Sequence, residues 1–357
     1  MFNESSARFE ANMSRLVVVV GITGNQGGSV AESFLADANW RVRAITRDPS
    51  KPAAQEWAAR GVELVTADQD DVDSLTKAFK GAHAIFAMTD YWAPMHDPKV
   101  RATAAERGIT AEQQCSEMET LRGKNMAVAA AAPEVQETLG RFVYSSLPDS
   151  TRLSGGKYTK VWHFDSKAAV ENFVRHDPAM VSAGLSQKSS FIHVGVYVDN
   201  WRRSPLEIAK DPESDGCYRV QVSDGREKLP FIWISRDTGT LVKKLVEDVP
   251  PGARLLGVSK MASYRDYLSI WARVVGKDLA GDQGIKQISP NEWADRVRGD
   301  KDHKEHMLET WAFAHEFGYD GGDPEMLYPK DIGAEDLLTS IEEYVRWEDW
   351  SPLFKQS

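Results

Sequence analysis

Residues 16–20 read Leu-Val-Val-Val-Val, and comparable apolar runs return near 41–45, 62–65, 83–88, 141–145 and 190–194. Each run is short and continuous or nearly so, as a strand covered on both faces must be. The first four begin 21 to 25 residues apart, which leaves room for one helix and two tight loops between neighbours. Helical patterns fill those gaps at Gln26–Asp37, Lys51–Arg60 and Val72–Lys80. Strand and helix alternating in this way predict a doubly wound parallel sheet. A longer insertion, Tyr91–Thr110, precedes a helix over Ala111–Ala132, whose run "MAVAAAAPE" suits close packing on the sheet. After about residue 195 the alternation weakens, Trp, Tyr and Pro become frequent, and "LVKKLVEDVPPG" reads as one more helix with a Pro-Gly stop. The fold class expected is α/β: a Rossmann-type sheet over 14–196, rejoined by 232–257, with a smaller α+β carboxy-terminal lobe from 197–231 and 258–352. Residues 1–13 read as a loose tail.

Composition changes this picture little. Of 357 residues, 42% are hydrophobic and 27% charged, an ordinary globular balance. No apolar run approaches the roughly 18 residues of a membrane span, and the polar start has no signal-peptide core. Two cysteines, Cys115 and Cys217, are too few for a disulfide framework, so a reducing compartment is expected, the cytoplasm and also the nucleus. The formal charge of −10, with 53 acidic against 43 basic residues and no basic stripe, argues against direct nucleic-acid binding.

The chemistry concentrates at strand ends. Gly21, Gly24 and Gly27 form G-x-x-G-x-x-G between the first strand and its helix. The first glycine permits a tight turn, the second a close approach of backbone to a pyrophosphate, and the third close packing of helix on strand. A glycine-rich turn alone has the bland reading of a turn; after a tetra-valine strand and before a helix it predicts dinucleotide binding. The loop contacts expected are Gly21, Thr23, Gly24, Asn25, Gln26 and Gly27. At the end of the second strand, Arg47 stands 20 residues after Gly27, with Lys51 four further on. Both suit a 2′-phosphate, so NADP(H) is the expected cofactor, although Arg47 has the simpler reading of a solvated loop arginine and Asp48 is placed to pair with it. Asp68 and Gln69 follow the third strand, where an adenine would lie; Asp70 or Asp71 reads equally as a helix cap. Met88 and Thr89 close the fourth strand near the nicotinamide ribose.

Together "GITGNQGGSVAESFL", "RAITRDPSK", "ADQDD", "AMTDYW" and "HFDSKAAVENFV" resemble the NmrA-like proteins, atypical members of the short-chain dehydrogenase superfamily. "EFGYDGGDP", "PKD" and "WEDWS" are similar to the longer fungal members. The resemblance implies a Rossmann domain, a small second lobe and NADP binding. It also implies one of two roles. One is an oxidoreductase acting on a small carbonyl or related metabolite. The other is a redox sensor whose nucleotide-bound form engages a protein partner such as a GATA-type transcription factor. Catalytic members of the superfamily carry Tyr-x-x-x-Lys on a helix. Here Lys167 matches the lysine, while position 163 is a histidine. His163 is a candidate proton relay or a histidine that only packs. Tyr158, in "SGGKYTK", is the runner-up acid if its loop reaches the pocket. Ser145 and Ser146 end the fifth strand, where a substrate-orienting serine or a structural one is equally expected. His303 and His306 lack a third ligand, so no metal is expected. Trp347 and Trp350 read as staples of the terminal segment, and Cys115 has no base beside it.

Overall fold

The computed structural model describes residues 14–202, 207–214, 216–222, 225 and 227–354, so the tail over 1–13 lies outside the described residues. Six strands follow the apolar runs: β1 (Arg15–Val20), β2 (Trp40–Thr46), β3 (Glu63–Thr66), β4 (Ala84–Ala87), β5 (Arg141–Ser146) and β6 (Ser189–Val194). Later come β7 (Val196–Tyr197), β8 (Ala209–Lys210), β9 (Tyr218–Val222), β10 (Leu229–Ile232), β11 (Arg254–Gly257), β12 (Lys260–Ala262), β13 (Ile285–Gln287) and β14 (Met326–Leu327). The main sheet has eight strands in the order β14-β11-β6-β5-β4-β1-β2-β3, all parallel. The chain runs from β1 outward through β2 and β3, then crosses back so that β4 lies on the other side of β1. That reversal makes a crevice outside the carboxyl ends of β1 and β4, where α/β sheets bind their ligands.

The tetra-valine strand splits by its period of two. Val18 and Val20 join one core layer, Val17 and Val19 the other. The main helices, in chain order, are α1 (Asn25–Leu35), α2 (Pro52–Ala59), α3 (Val72–Phe79), α4 (Pro98–Arg107), α5 (Ala111–Ala130), α6 (Trp162–His176), α7 (Ile234–Glu247), α8 (Tyr264–Val275), α9 (Lys301–Phe317) and α10 (Ile341–Trp347), with shorter helical turns between them. Residues of α3, α5 and α6 pack with Val18 and Val20, and residues of α1 and α7 with Val17 and Val19. In α5, Ala127, Ala129 and Ala130 are completely buried, as a run of small side chains allows. The stretch expected as a plain insertion contains α4, capped by Asp97 and ended by Gly108 in a left-handed conformation. Only Val100 and Ala104 of α4 are buried, so its apolar period is faint in the sequence.

A second core gathers Trp201, Tyr218, Phe231, Trp271, Tyr344 and Trp350 around two three-stranded sheets, β12-β10-β7 and β13-β9-β8. Trp350 does staple the terminal segment, its ring 4.4 Å from that of Trp201. Trp347 stays 67% exposed, resting one face on Trp233. Met326–Leu327 departs from the division expected for 258–352, since it pairs with β11 at the edge of the main sheet. The loop before it is tied down by a buried ion network. Glu171 of α6 accepts from His193 at 2.7 Å and from Arg254 at 2.6 Å, and Arg254 also pairs with Asp323. Burial raises the Glu171 pKa, but His193 and Arg254 outweigh it and hold the carboxyl at about 2. Tyr319 in the same loop donates to the Val194 carbonyl at the end of β6, 2.9 Å away.

Candidate functional site

The glycine turn sits at the mouth of the crevice between β1 and β4. Gly21 has φ +76°, and a Cβ there would lie 2.8 Å from Met88 Sδ. A Cβ on Gly27 would lie 2.2 Å from the Gly21 carbonyl oxygen, so only glycine lets α1 start this close to β1. Gly24 is the N-cap of α1 and no side chain caps the helix, which leaves its leading N–H groups available to an anion. Thr23, Gly24 and Asn25 are exposed at this opening. Gln26 is turned inward, its side-chain oxygen accepting from Ser145 Oγ at 2.7 Å. A dinucleotide pyrophosphate fits this cradle on backbone geometry alone.

Arg47 and Lys51 are exposed at the end of β2, and neither forms an ion pair among the described residues. Asp48 does not pair with Arg47; it accepts from the Ser50 amide and hydroxyl instead, at 2.9 and 2.6 Å. Asp71 is the cap of α3, accepting from the Asp73 and Ser74 amides. Asp70 forms a two-point pair with Arg122, both contacts 2.8 Å. Asp68 is held locally, accepting from the Asp70 amide at 3.0 Å. Gln69 spans the strand ends, its amide nitrogen 3.3 Å from the Met88 carbonyl and its own carbonyl accepting from Asn125.

Lys167 lies one strand-end away. Its ammonium donates to the Thr89 carbonyl at 2.9 Å, to Thr89 Oγ1 at 3.0 Å and to Glu119 Oε1 at 2.6 Å. An ammonium has three protons, so all of them have acceptors inside the protein. Thr89 Oγ1 also bonds the buried Tyr144 hydroxyl at 3.0 Å, and Ser166 donates to the second Glu119 oxygen. Burial first, and then Glu119, raise the Tyr144 pKa well above normal, so that hydroxyl stays protonated. Gly123 explains how Glu119 reaches Lys167. A Cβ at Gly123 would be 2.4 Å from Val170 Cγ2, so α5 and α6 cross closely there, one turn beyond the ion pair on each helix.

His163 stands one turn before Lys167 on α6, and its Nδ1 is 2.8 Å from His306 Nε2 on α9. Its ring packs among Tyr91, Trp92 and Phe164. Burial, then His306 and Lys167, push its pKa well below the histidine range. Tyr158 is drawn elsewhere. Its hydroxyl donates to Glu316 at 2.7 Å, its ring packs on Phe313 and Phe317, and no hydrogen bond or ring contact among the described residues joins it to His163, Lys167 or Thr89. The loop carrying it is clamped, with Glu309 accepting from the Thr159 and Lys160 amides at 2.8 and 2.7 Å. Ser146 Oγ makes long contacts of 3.4 Å to the Leu147 and Lys167 carbonyls and also hydrogen-bonds towards Glu171, which gives it a structural role. Burial and Glu112 push the Cys115 thiol up to about 12, which leaves it unreactive.

Sequence reasoning missed Glu119 and undervalued His306. Glu119 had one visible signal, an acidic residue on the apolar side of an alanine-rich helix. Among the described residues no cluster of His, Cys, Asp and Glu side chains is suited to a metal, and no helix is long and apolar enough to cross a membrane.

Known proteins resemble this chain in sequence and in fold. The model of the NmrA-like family matches residues 13–345. An NmrA-like family domain-containing oxidoreductase of Aspergillus hancockii is 32% identical over 273 residues, covering 74% of this chain and 73% of the relative. The crystal structure of NmrA, a negative transcriptional regulator, in complex with NADP superposes with a TM-score of 0.69 at 20% identity, covering 94% of this chain and 95% of that one. The same regulator has also been solved with NAD, at a TM-score of 0.68. Citrobacter triphenylmethane reductase complexed with NADP(H) gives a TM-score of 0.61 at 16% identity, over 93% of this chain and 99% of that one.

Proposed function

The chain belongs to the NmrA-like family, and on that premise we propose that it is an NADP(H)-dependent oxidoreductase acting on a small carbonyl or related metabolite. One observation carries the reading: the Gly21–Gly27 turn, Met88–Thr89 and Lys167 converge where β1 and β4 part. In it the α1 amides hold the pyrophosphate, Arg47 and Lys51 meet the 2′-phosphate, and Asp68 and Gln69 border the adenine. Lys167 and Thr89 hold the nicotinamide ribose, a ribose hydroxyl taking the place of Thr89 Oγ1 as one acceptor of the ammonium. The bound cofactor supplies a hydride.

Calorimetric titration should give NADP(H) an affinity at least roughly tenfold above NAD(H), about 1.4 kcal/mol. The preference should vanish in Arg47→Ala. Consumption of NADPH with a member of a carbonyl panel then tests the enzyme; a broad panel without turnover rejects it.

A second reading is a non-catalytic redox sensor acting on transcription through a protein partner. It is favoured by His163, which stands where catalytic superfamily members have tyrosine.

A further inference from the structure

The hydroxyls around the ends of β4 to β6 are spent inside the protein. Tyr158 donates to Glu316, Tyr91 to the Glu112 carbonyl, Tyr319 to the Val194 carbonyl and Ser145 to Gln26. Tyr144 is completely buried against Thr89. Lys167 has three acceptors for its three protons, and giving one up would strand the buried Glu119 carboxylate 2.6 Å away. His163 is spent as well. The His306 ring bonds the Lys160 backbone, whose amide is taken by Glu309, so the Lys160 carbonyl accepts from His306 Nδ1. His306 Nε2 is then a lone pair, and the hydrogen shared with His163 belongs to His163 Nδ1. Neutral His163 keeps a lone pair at Nε2 and has no proton there to give.

The nicotinamide end of the crevice offers a carboxylate and an indole instead. Asp90 directly follows Thr89 and is exposed. Its Oδ1 accepts from the Trp92 and Ala93 amides at 2.9 and 3.1 Å, and its Oδ2 forms no hydrogen bond or ion pair among the described residues. Trp92 is 39% exposed, and its ring centre lies 5.0 Å from that of His163, one turn before Lys167. An accessible indole beside a free carboxylate oxygen suits a cation.

We propose that the hydride acceptor at this site is a preformed cation, an iminium whose C=N⁺ group lies against Trp92 and Asp90. The proposal rests on the oxidoreductase reading and names its substrate class, the nitrogen counterpart of a carbonyl. The two acceptors differ in what hydride leaves behind. On a carbonyl carbon it sends the C=O π pair to oxygen, and the alkoxide needs an acid. On an iminium carbon, hydride from NADPH forms the new C–H bond and the C=N π pair becomes the nitrogen lone pair. The iminium is reduced to a neutral amine, NADPH is oxidised to NADP⁺, and the positive charge passes from substrate to cofactor. No proton moves in the step, so a site whose acids are all committed can perform it.

The test compares an N-methyl dihydroisoquinolinium, a permanently charged iminium, with β-tetralone, a neutral ketone on a similar bicyclic skeleton. NADPH oxidation by the full chain is read over the protein-free rate. The iminium should have a kcat/KM about 10²-fold above that of the ketone, the least that a missing acid costs a carbonyl. Its kcat should be flat from about pH 6 to 8 and the same in D₂O, because no histidine or other acid delivers a proton. Asp90→Asn, whose amide oxygen keeps the two backbone contacts, and Trp92→Leu should each raise KM for the iminium about threefold to tenfold. Trp92→Phe should recover part of that loss, and KM for NADPH should stay unchanged in all three. NADP⁺ titration of each variant reports that it is folded. A ketone turned over as well as the iminium, a D₂O effect above about twofold on the iminium, or a KM indifferent to both Asp90→Asn and Trp92→Leu overturns the inference alone. So does turnover of carbonyls without turnover of the iminium. Neither iminium nor carbonyl turned over rejects the oxidoreductase reading, and the inference with it.

Discussion

Lys167 meets its three acceptors in a nearly sealed place, its side chain 11% and that of Glu119 1% exposed. Breaking such a pair from one side strands a buried charge, which costs about 3–5 kcal/mol. Lys167→Met should therefore lower the stability read by urea unfolding by about that much, and Glu119→Leu comparably. The double variant should recover most of the loss, since apolar side chains of similar volume replace both ions. Additive losses would mean that the two charges do not depend on each other. Lys167 was legible because the Tyr-x-x-x-Lys pattern it matches spans a single helical turn, not because its own partners are near in sequence. Glu119 and His306 were not, because their partners lie 48 and 143 residues away along the chain. No local period records a contact of that span. The glycine turn was legible for the opposite reason, since every atom that shapes it comes from Gly21–Gly27 or from Met88 at the next strand end.

At the scale of elements, helix crossings decide where the site residues end up. A Cβ on Gly239 of α7 would lie 2.0 Å from the Ser29 carbonyl oxygen of α1, backbone that cannot swing aside. Gly239→Ala should force the helix behind the glycine turn outward, costing about 1–3 kcal/mol in urea unfolding and weakening NADP⁺ binding together. Gly61→Ala, where a Cβ meets nothing within 4 Å but φ is +92°, should cost stability without touching affinity. The docking of α9 carries a pH signature. His163 and His306 are neutral when folded, His306 with a pKa of about 3, and each takes a proton near pH 6.5 when unfolded. The unfolded chain thus binds more protons below pH 6.5, so this contribution is complete above that pH. It is lost as pH falls from there towards 3, by up to about 1.4 kcal/mol per unit for each histidine. Unfolding midpoints at pH 7.5 and 5.5 should differ more in the native chain than in His163→Phe/His306→Phe. The apolar runs foretold β1 to β6 because covered sheet faces leave short, mostly apolar runs, interrupted only at places such as Arg41 and Arg43 of β2. They could not foretell β14, two residues long, or α4, which buries little.

Across the whole molecule the charge is −10, and no basic stripe offsets it. Phosphate neutralisation would have to come from scattered lysines and arginines, many already paired with carboxylates. No duplex should bind with sub-micromolar affinity in a gel shift at physiological salt, and such binding would reverse this expectation. The eighth strand of the main sheet has a consequence for how the molecule is made. Arg254–Gly257 is synthesised long before Met326–Leu327, which pairs with its outer side. Until that dipeptide leaves the ribosome, β11 presents open N–H and C=O groups, the template on which one copy of a chain recruits another. Nascent or truncated chains ending short of Met326 should therefore clump, visible as light scattering absent from the full chain, and a chaperone has most to do in the last moments of synthesis.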